Sequence, residues 1–286
     1  MIPVAFDYVA PTTLEEAVRL LASHGDDAKI LAGGHSLIPA MKLRLAMPQL
    51  LVDIGRIEEL SYVRDENATI RIGAMTTHYE VESSPQLATR CPLLPETASH
   101  IGDVQVRNKG TIGGSIAHAD PAADWPAAIL ALGAEIVAVG PSGERVIPAD
   151  EFFVDMMTTA LEPNEILREI RIPAIGERTG HAYVKVRQPA SGFAVVGVAA
   201  CITRADDDTC EAARIAVTGI ASRAYRAVDV EGALAGRPLS GAATAAALAD
   251  NGVDANGDLF ASADYRRHLA RVYTRRAIET AAARIH

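Results

Sequence analysis

The chain has 286 residues, 49% of them hydrophobic and 22% charged, with a net charge of −9. That length suffices for one large domain or two to three small ones, and the acidic balance excludes a nucleic-acid binder built on a basic stripe. Cys91, Cys201 and Cys210 form no C-x-x-C pair and no disulfide framework, which argues against a zinc ribbon or an iron–sulfur cluster in this chain and for a reducing, cytoplasmic setting. Met1–Asp7 lacks the basic and apolar regions of a signal peptide, and the apolar stretches fall short of a membrane span.

Thr13-Leu14-Glu15-Glu16 reads as a capping box opening a helix, with Leu14, Ala17, Val18 and Leu21 at helical spacing and Gly25 after its end. A buried strand at Ala28–Ala32 runs into Gly33-Gly34-His35-Ser36, and a second strand is predicted at Leu50–Ile54. Beyond Leu60, Ala68–Gly73 alternates as a half-buried strand does, and helical patterns follow at Glu80–Thr89 and Leu94–Ile101. Pro121–Leu132 reads as a helix with Pro121 in its first turn. Glu135–Val139 and Arg145–Ile147 flank a Gly-Pro-Ser-Gly hairpin, and Ile166–Ile172 is a further strand stopped by Pro173. Past Gly176, strands are predicted at Ala182–Val186, Ala194–Ile202 and Ala213–Thr218, with Asp206-Asp207-Asp208 as a turn. Helices follow at Ala242–Ala249 and Tyr265–Ile285, so sheet precedes helices, the order of a separate α+β domain.

Chemistry is concentrated in two glycine motifs. In Ala32-Gly33-Gly34-His35-Ser36, paired glycines permit positive φ and leave successive N–H groups uncovered, a concavity that takes phosphate oxygens, although an ordinary tight turn has the same sequence. Gly110-Thr111-Ile112-Gly113-Gly114-Ser115 repeats that logic roughly 80 residues later, so the two could grip a pyrophosphate from both sides. Neither is G-x-x-x-x-G-K-[ST] nor G-x-G-x-x-G, so a P-loop and a Rossmann fingerprint are both excluded. In His118-Ala119-Asp120-Pro121-Ala122-Ala123-Asp124-Trp125, Asp120 fits a helix N-cap. Asp124 then falls in the first turn, where a carboxylate can accept from ribityl or ribose hydroxyls. The histidines form no H-E-x-x-H, and G-x-S-x-G is absent, so a bound cofactor is favoured over hydrolytic machinery, and no metal ligands are expected.

Together these stretches carry a resemblance. Leu31-Ala32-Gly33-Gly34-His35-Ser36-Leu37-Ile38-Pro39 with Lys42 and Arg44, Ala74-Met75-Thr76-Thr77-His78, and Gln105–Ser115 continuing to Asp120-Pro121 and Asp124 resemble the flavin-binding medium subunit of aerobic, molybdenum-containing carbon monoxide dehydrogenase and its molybdenum hydroxylase relatives. The resemblance spans essentially the whole chain. It implies an α+β chain in which a two-subdomain FAD-binding fold of the vanillyl-alcohol-oxidase/PCMH type occupies 1–58 and 59–175. A C-terminal α+β domain of the CO dehydrogenase flavoprotein type then occupies 176–286.

It further implies non-covalent FAD. Ala32, Gly33, Gly34, His35, Ser36 and Leu37, with Thr111, Ile112, Gly113, Gly114 and Ser115, would hold its pyrophosphate and ribityl groups. Asp124 would bind flavin-side hydroxyls, Ile101 would pack on the cofactor and Leu167 would close over adenine, while Lys185 would stand by the isoalloxazine unless it is a surface strand lysine. Where relatives have Gly-Asp-Tyr this chain has Ser191-Gly192-Phe193, so Phe193 supplies an aromatic face without the hydroxyl. The partners implied are a small subunit with [2Fe–2S] clusters and a large subunit with molybdopterin cytosine dinucleotide and molybdenum, in a dimer of heterotrimers. Electrons would leave to a quinone or another acceptor, with the complex at the inner face of the membrane. Carbon monoxide is the first substrate expected; N-heterocycles, aldehydes or purines are the alternatives, as is a stand-alone flavin oxidase or reductase.

Overall fold

The computed structural model describes residues 1–66 and 68–285. Three main sheets follow one another along the described residues. The first contains β1 (Asp7–Val9), α1 (Leu14–His24), β2 (Ala28–Leu31), α2 (Leu37–Lys42) and β3 (Leu50–Asp53), with the strands all parallel in the order β1-β3-β2. Leu14, Ala17, Val18 and Leu21 of α1 pack on Leu50, Val52 and Ile54, as the helical spacing requires. Thr13 caps α1 by accepting from the Glu16 N–H. The reciprocal bond of a capping box forms instead at Thr77 and Glu80, a pair the sequence reading passed over.

The second unit contains β4 (Val63–Glu66), β5 (Thr69–Gly73), α3 (His78–Ser83), α4 (Pro85–Arg90), α5 (Leu93–Ser99), α6 (Val104–Arg107), α7 (Ile112–His118) and α8 (Trp125–Leu132). It continues through β6 (Glu135–Gly140), β7 (Gly143–Pro148), α9 (Ala149–Phe152), β8 (Phe153–Asp155), β9 (Thr158–Thr159) and β10 (Ile166–Pro173). Its main sheet is antiparallel, in the order β4-β5-β10-β6-β7, and β8 pairs with β9. The helix expected at Glu80–Thr89 is two helices. Ser84 is extended, caps the second and places Pro85 in its first turn. The helix expected from Pro121 begins at Trp125. Asp120 folds its carboxylate onto the Ala122 N–H to make a turn, and Pro126 occupies the first-turn position.

The third unit is β11 (Thr179–Arg187), β12 (Ala194–Arg204), β13 (Cys210–Thr218), β14 (Tyr225–Arg226), α10 (Val228–Leu234), α11 (Ala242–Ala246) and α12 (Ala263–Ala283), with the strands antiparallel in sequence order. Strand alternation gives this sheet two buried faces. Tyr183, Ala199 and Ala216 join the core around α8, whereas Ala182, Val198, Ala200 and Val217 join Ala270, Ala277 and Ile278 of α12. That explains α8, in which every residue is buried: it lies between the middle unit and the C-terminal sheet. No helix among the described residues is long and apolar enough to cross a membrane.

Candidate functional site

β2 ends at Leu31 and releases the chain into Ala32–Ser36 before α2 begins. Gly34 turns it at φ +78°, in the left-handed region that glycine occupies without strain. Among the described residues, none accepts a hydrogen bond from the N–H groups of Gly33, Gly34, His35 or Ser36. Four successive N–H groups without an acceptor, on a partly exposed turn, are a backbone arrangement that could take an anion.

The second motif takes a different form from the loop expected. Thr111 is an N-cap, its hydroxyl accepting from the Gly114 N–H at 3.1 Å, and Ile112 to Ser115 are the first residues of α7. The Ile112 and Gly113 N–H groups donate to Thr76 O and Ala74 O at 3.0 and 2.9 Å. These amides are therefore spent inside the protein, and the glycines serve close packing: a Cβ on Gly113 would lie 2.5 Å from Ala74 Cβ. The motifs do meet. A Cβ on Gly33 would lie 2.6 Å from Lys109 O and 2.7 Å from Gly110 Cα, and one on Gly114 would reach Ala32 Cβ at 3.4 Å. Ser36 ends the first turn at the N-cap position of α2, and Leu37 opens that helix packed against Leu31, Met41 and Leu51 rather than at this junction.

A second cluster lies where α8 meets the C-terminal sheet. Asp124, only 4% exposed, precedes α8 without capping it. Lys185 Nζ sits 2.8 Å from its carboxylate and 3.1 Å from His100 O. Tyr183 Oη donates to the same carboxylate, and the Tyr183 ring meets His100 edge-on at 5.5 Å. Lys185 is thus no surface lysine; its side chain is fully covered. Burial raises the Asp124 carboxyl and lowers the Lys185 amine, each held back by the other's charge. Burial, with Asp124 beside it, pushes the Tyr183 phenol well above its usual value, so it remains a donor.

Ile101 is half-buried beside this cluster. The turn Gln188–Phe193 arches over it: Gln188 accepts from the Ser191 N–H and hydroxyl, and Gly192, at φ +76°, puts its would-be Cβ 3.6 Å from Gly102 Cα. Phe193 at its end is 43% exposed. Leu167 stands apart as a buried core residue of β10, paired with Ala138. Trp125 joins the clusters by donating to His78 at 3.1 Å, across from Gly110. Tyr183, His100 and His78 are the members that sequence reasoning missed. The Thr77/Glu80 capping box was the one local signal, since it fixes His78 at a helix start.

Residues 4–175 match the family described as the FAD binding domain in molybdopterin dehydrogenase, and residues 181–281 match the CO dehydrogenase flavoprotein C-terminal domain. The chain belongs to the FAD-binding medium subunits of the molybdenum hydroxylases. It is 45% identical, over 99% of each chain, to the carbon monoxide dehydrogenase medium chain of Hydrogenophaga pseudoflava. It is 39% identical, over 98% of this chain and 96% of the relative, to the 6-hydroxypseudooxynicotine dehydrogenase complex subunit alpha of Paenarthrobacter nicotinovorans. Among solved structures, carbon monoxide dehydrogenase from Hydrogenophaga pseudoflava superposes with a TM-score of 0.97 at 45% identity, covering 100% of both chains. Quinoline 2-oxidoreductase from Pseudomonas putida 86 does so at 0.92 and 36% identity, covering 99% of both. This medium subunit is accordingly an oxidoreductase component with an FAD-binding domain, and the open amides of Gly33–Ser36 fit the phosphate end of that cofactor.

Proposed function

We propose that this medium subunit holds FAD non-covalently and serves as the electron exit of a molybdenum hydroxylase of the carbon monoxide dehydrogenase type. The observation that carries the reading is the backbone contact between the two glycine segments, one from each N-terminal unit, beside four open N–H groups. Gly33 to Ser36 would take the pyrophosphate. Thr111 to Ser115 would shape the wall facing it, with the Ser115 hydroxyl as a further donor. Ile101 and Phe193 would cover the ring system, Lys185 would present a held positive charge, and Asp124, its oxygens already engaged by Tyr183 and Lys185, would orient that lysine; Leu167 would wall the adenine end from its place in β10. Bound flavin supplies the capacity to accept and release electrons, which no side chain here provides.

The domains assigned to this role are 1–58 and 59–175 for the cofactor and 176–286 for closing its flavin end. In the complex, a small subunit would bring [2Fe–2S] clusters and a large one the molybdenum cofactor with the substrate site, in a dimer of heterotrimers. Electrons would pass to a quinone or another acceptor at the inner face of the membrane. Relatives named for carbon monoxide, 6-hydroxypseudooxynicotine and quinoline have similar chains, as expected if another subunit meets the substrate. The 45% identity to a carbon monoxide dehydrogenase medium chain supports carbon monoxide as the substrate of the complex. A visible spectrum of the purified chain titrated with FAD tests the flavin role: saturable binding at one FAD per chain is expected, and absence of flavin bands after FAD addition overturns it.

A further inference from the structure

His78 lies at the junction of the glycine segments with its ring fixed in one protonation form. Trp125 Nε1 donates to His78 Nδ1 at 3.1 Å. An indole nitrogen can only donate, so Nδ1 must accept, and the neutral ring bears its hydrogen on Nε2. The main chain is equally constrained: His78 opens α3 behind the Thr77/Glu80 capping box, and its own N–H donates to Gly110 O at 2.9 Å.

The position of Nε2 explains a glycine. A Cβ on Gly110 would lie 2.8 Å from it, so the ring occupies the space that any side chain there would need. Gly110 Cα is also what a Gly33 Cβ would strike at 2.7 Å. The Nε2–H therefore lies beside Gly110, the residue against which Gly33 packs. Among the described residues it has no hydrogen-bond acceptor, and the orphan polar atoms sealed from solvent lie elsewhere, at positions such as His181 and Arg266. Burial, with His35 and Arg107 beside it, holds the ring's pKa at about 4, and Arg107 is itself paired with Glu82 at 2.7 Å. The ring is thus a neutral donor whose direction does not change across the physiological range.

We propose that His78 is a cofactor-binding residue whose Nε2–H, oriented by Trp125, donates to the pyrophosphate of FAD at the junction of Gly33 and Gly110. This rests on the flavin reading above. Trp125 is then a positioning residue, and the Gly33–Ser36 amides and the imidazole grip the anion from two elements. No proton moves, so the contact costs no charge separation.

The test uses the full chain. Histidine labelled with 15N reports each ring nitrogen separately during titration with FAD. The Nε2 resonance is expected to shift with saturation while Nδ1 keeps its acceptor signature. In parallel, FAD affinity is read by quenching of flavin fluorescence. His78→Phe keeps a ring and removes the donor, and should weaken FAD by about ten- to a hundredfold, the range for a hydrogen bond to a charged group. His78→Gln restores an N–H and should recover most of the affinity. An Nε2 resonance unmoved at FAD saturation overturns the assignment even if His78→Phe is unstable. So does a folded His78→Phe that binds FAD within twofold of the parent. A parent chain that binds no FAD overturns the flavin reading and this proposal together, which separates the two failures.

Discussion

Gly33→Ala is the smallest change that tests how the site is assembled. The added methyl carbon would stand 2.6 Å from Lys109 O and 2.7 Å from Gly110 Cα, whereas ordinary contact begins at 3.4 Å. Relief requires the two segments to part by 3.4 − 2.6 = 0.8 Å. Both obstacles are main chain, so no rotamer change can absorb the overlap. Overpacking of this kind costs about 1–3 kcal/mol, or about 2 to 12 °C in Tm for a domain of this size. The shift exceeds the tolerance of a hydrogen bond already near 3 Å, so at least one amide contact to phosphate should be lost, weakening FAD by about tenfold or more. The control is Gly232→Ala, the same chemical change where nothing lies within 4 Å. Differential scanning calorimetry of the apo chains and FAD titration of both variants decide the matter. A Gly33→Ala chain that matches Gly232→Ala in Tm and in FAD affinity would refute the contact between the glycine segments as the basis of the site.

Lys185→Met leaves Asp124 buried without its cation and should destabilise the chain by about 3–5 kcal/mol, while Asp124→Leu together with Lys185→Met should recover a large part of that in urea denaturation. His78 and His181, buried and neutral with pKa values of about 4 against 6.5 for the free side chain, give stability that is complete above pH 6.5 and is lost as pH falls towards 4. At pH 5 each should have forfeited about 2 kcal/mol relative to pH 7.5. The depressed carboxyls Glu165 and Glu169 begin to matter only below their usual 4.5; between pH 7.5 and 5 the lowered His100 adds to the slope and the raised Asp124 carboxyl opposes it, and His181→Gln should flatten the slope of the urea midpoint. Phe193→Tyr, at a 43% exposed position in a surface turn, should leave stability within about 0.5 kcal/mol of the parent. It should nevertheless change the flavin midpoint potential measured by dye equilibration; an unchanged potential would remove Phe193 from the flavin face.

Elements whose burial follows a simple period were legible from sequence. Leu14, Ala17, Val18 and Leu21 face one core at helical spacing, and the alternation along β12 serves two cores, so α1 and the C-terminal strands emerge close to their observed bounds. What escaped depends on where a donor finds its acceptor. The second glycine motif looks like a loop because glycine disfavours helix interiors. It is helical because Ala74 and Thr76 offer carbonyls to its first amides and the glycines let it approach Ala74. Asp124 was picked out as a site residue, but Tyr183 and Lys185, about sixty positions away in sequence, occupy its oxygens, and no local pattern predicts a partner at that separation. His78 stood in plain view as one of several scattered histidines. Its role depends on Trp125 and Gly110, neither of which neighbours it in sequence.

The C-terminal unit does more than follow the cofactor-binding ones. Thr218 donates its hydroxyl to Pro121 O and Ala123 O at 2.7 and 2.9 Å, the Gly219 N–H donates to Pro121 O at 2.8 Å, and the Ala194 N–H donates to Ala122 O at 3.0 Å. All three carbonyls belong to the short segment that delivers Asp124 and Trp125. The same unit supplies Tyr183 and Lys185 to the Asp124 carboxylate, while Trp125 turns the ring of His78 towards the glycine junction. The segment between α7 and α8 is therefore held by the third sheet on one side and orients groups for both ends of the site on the other. A ligand spanning both ends binds well only when all three units are docked, so it must stabilise their docking by the same free energy. On the proposed reading, FAD would be a structural link between the units as well as the source of redox chemistry.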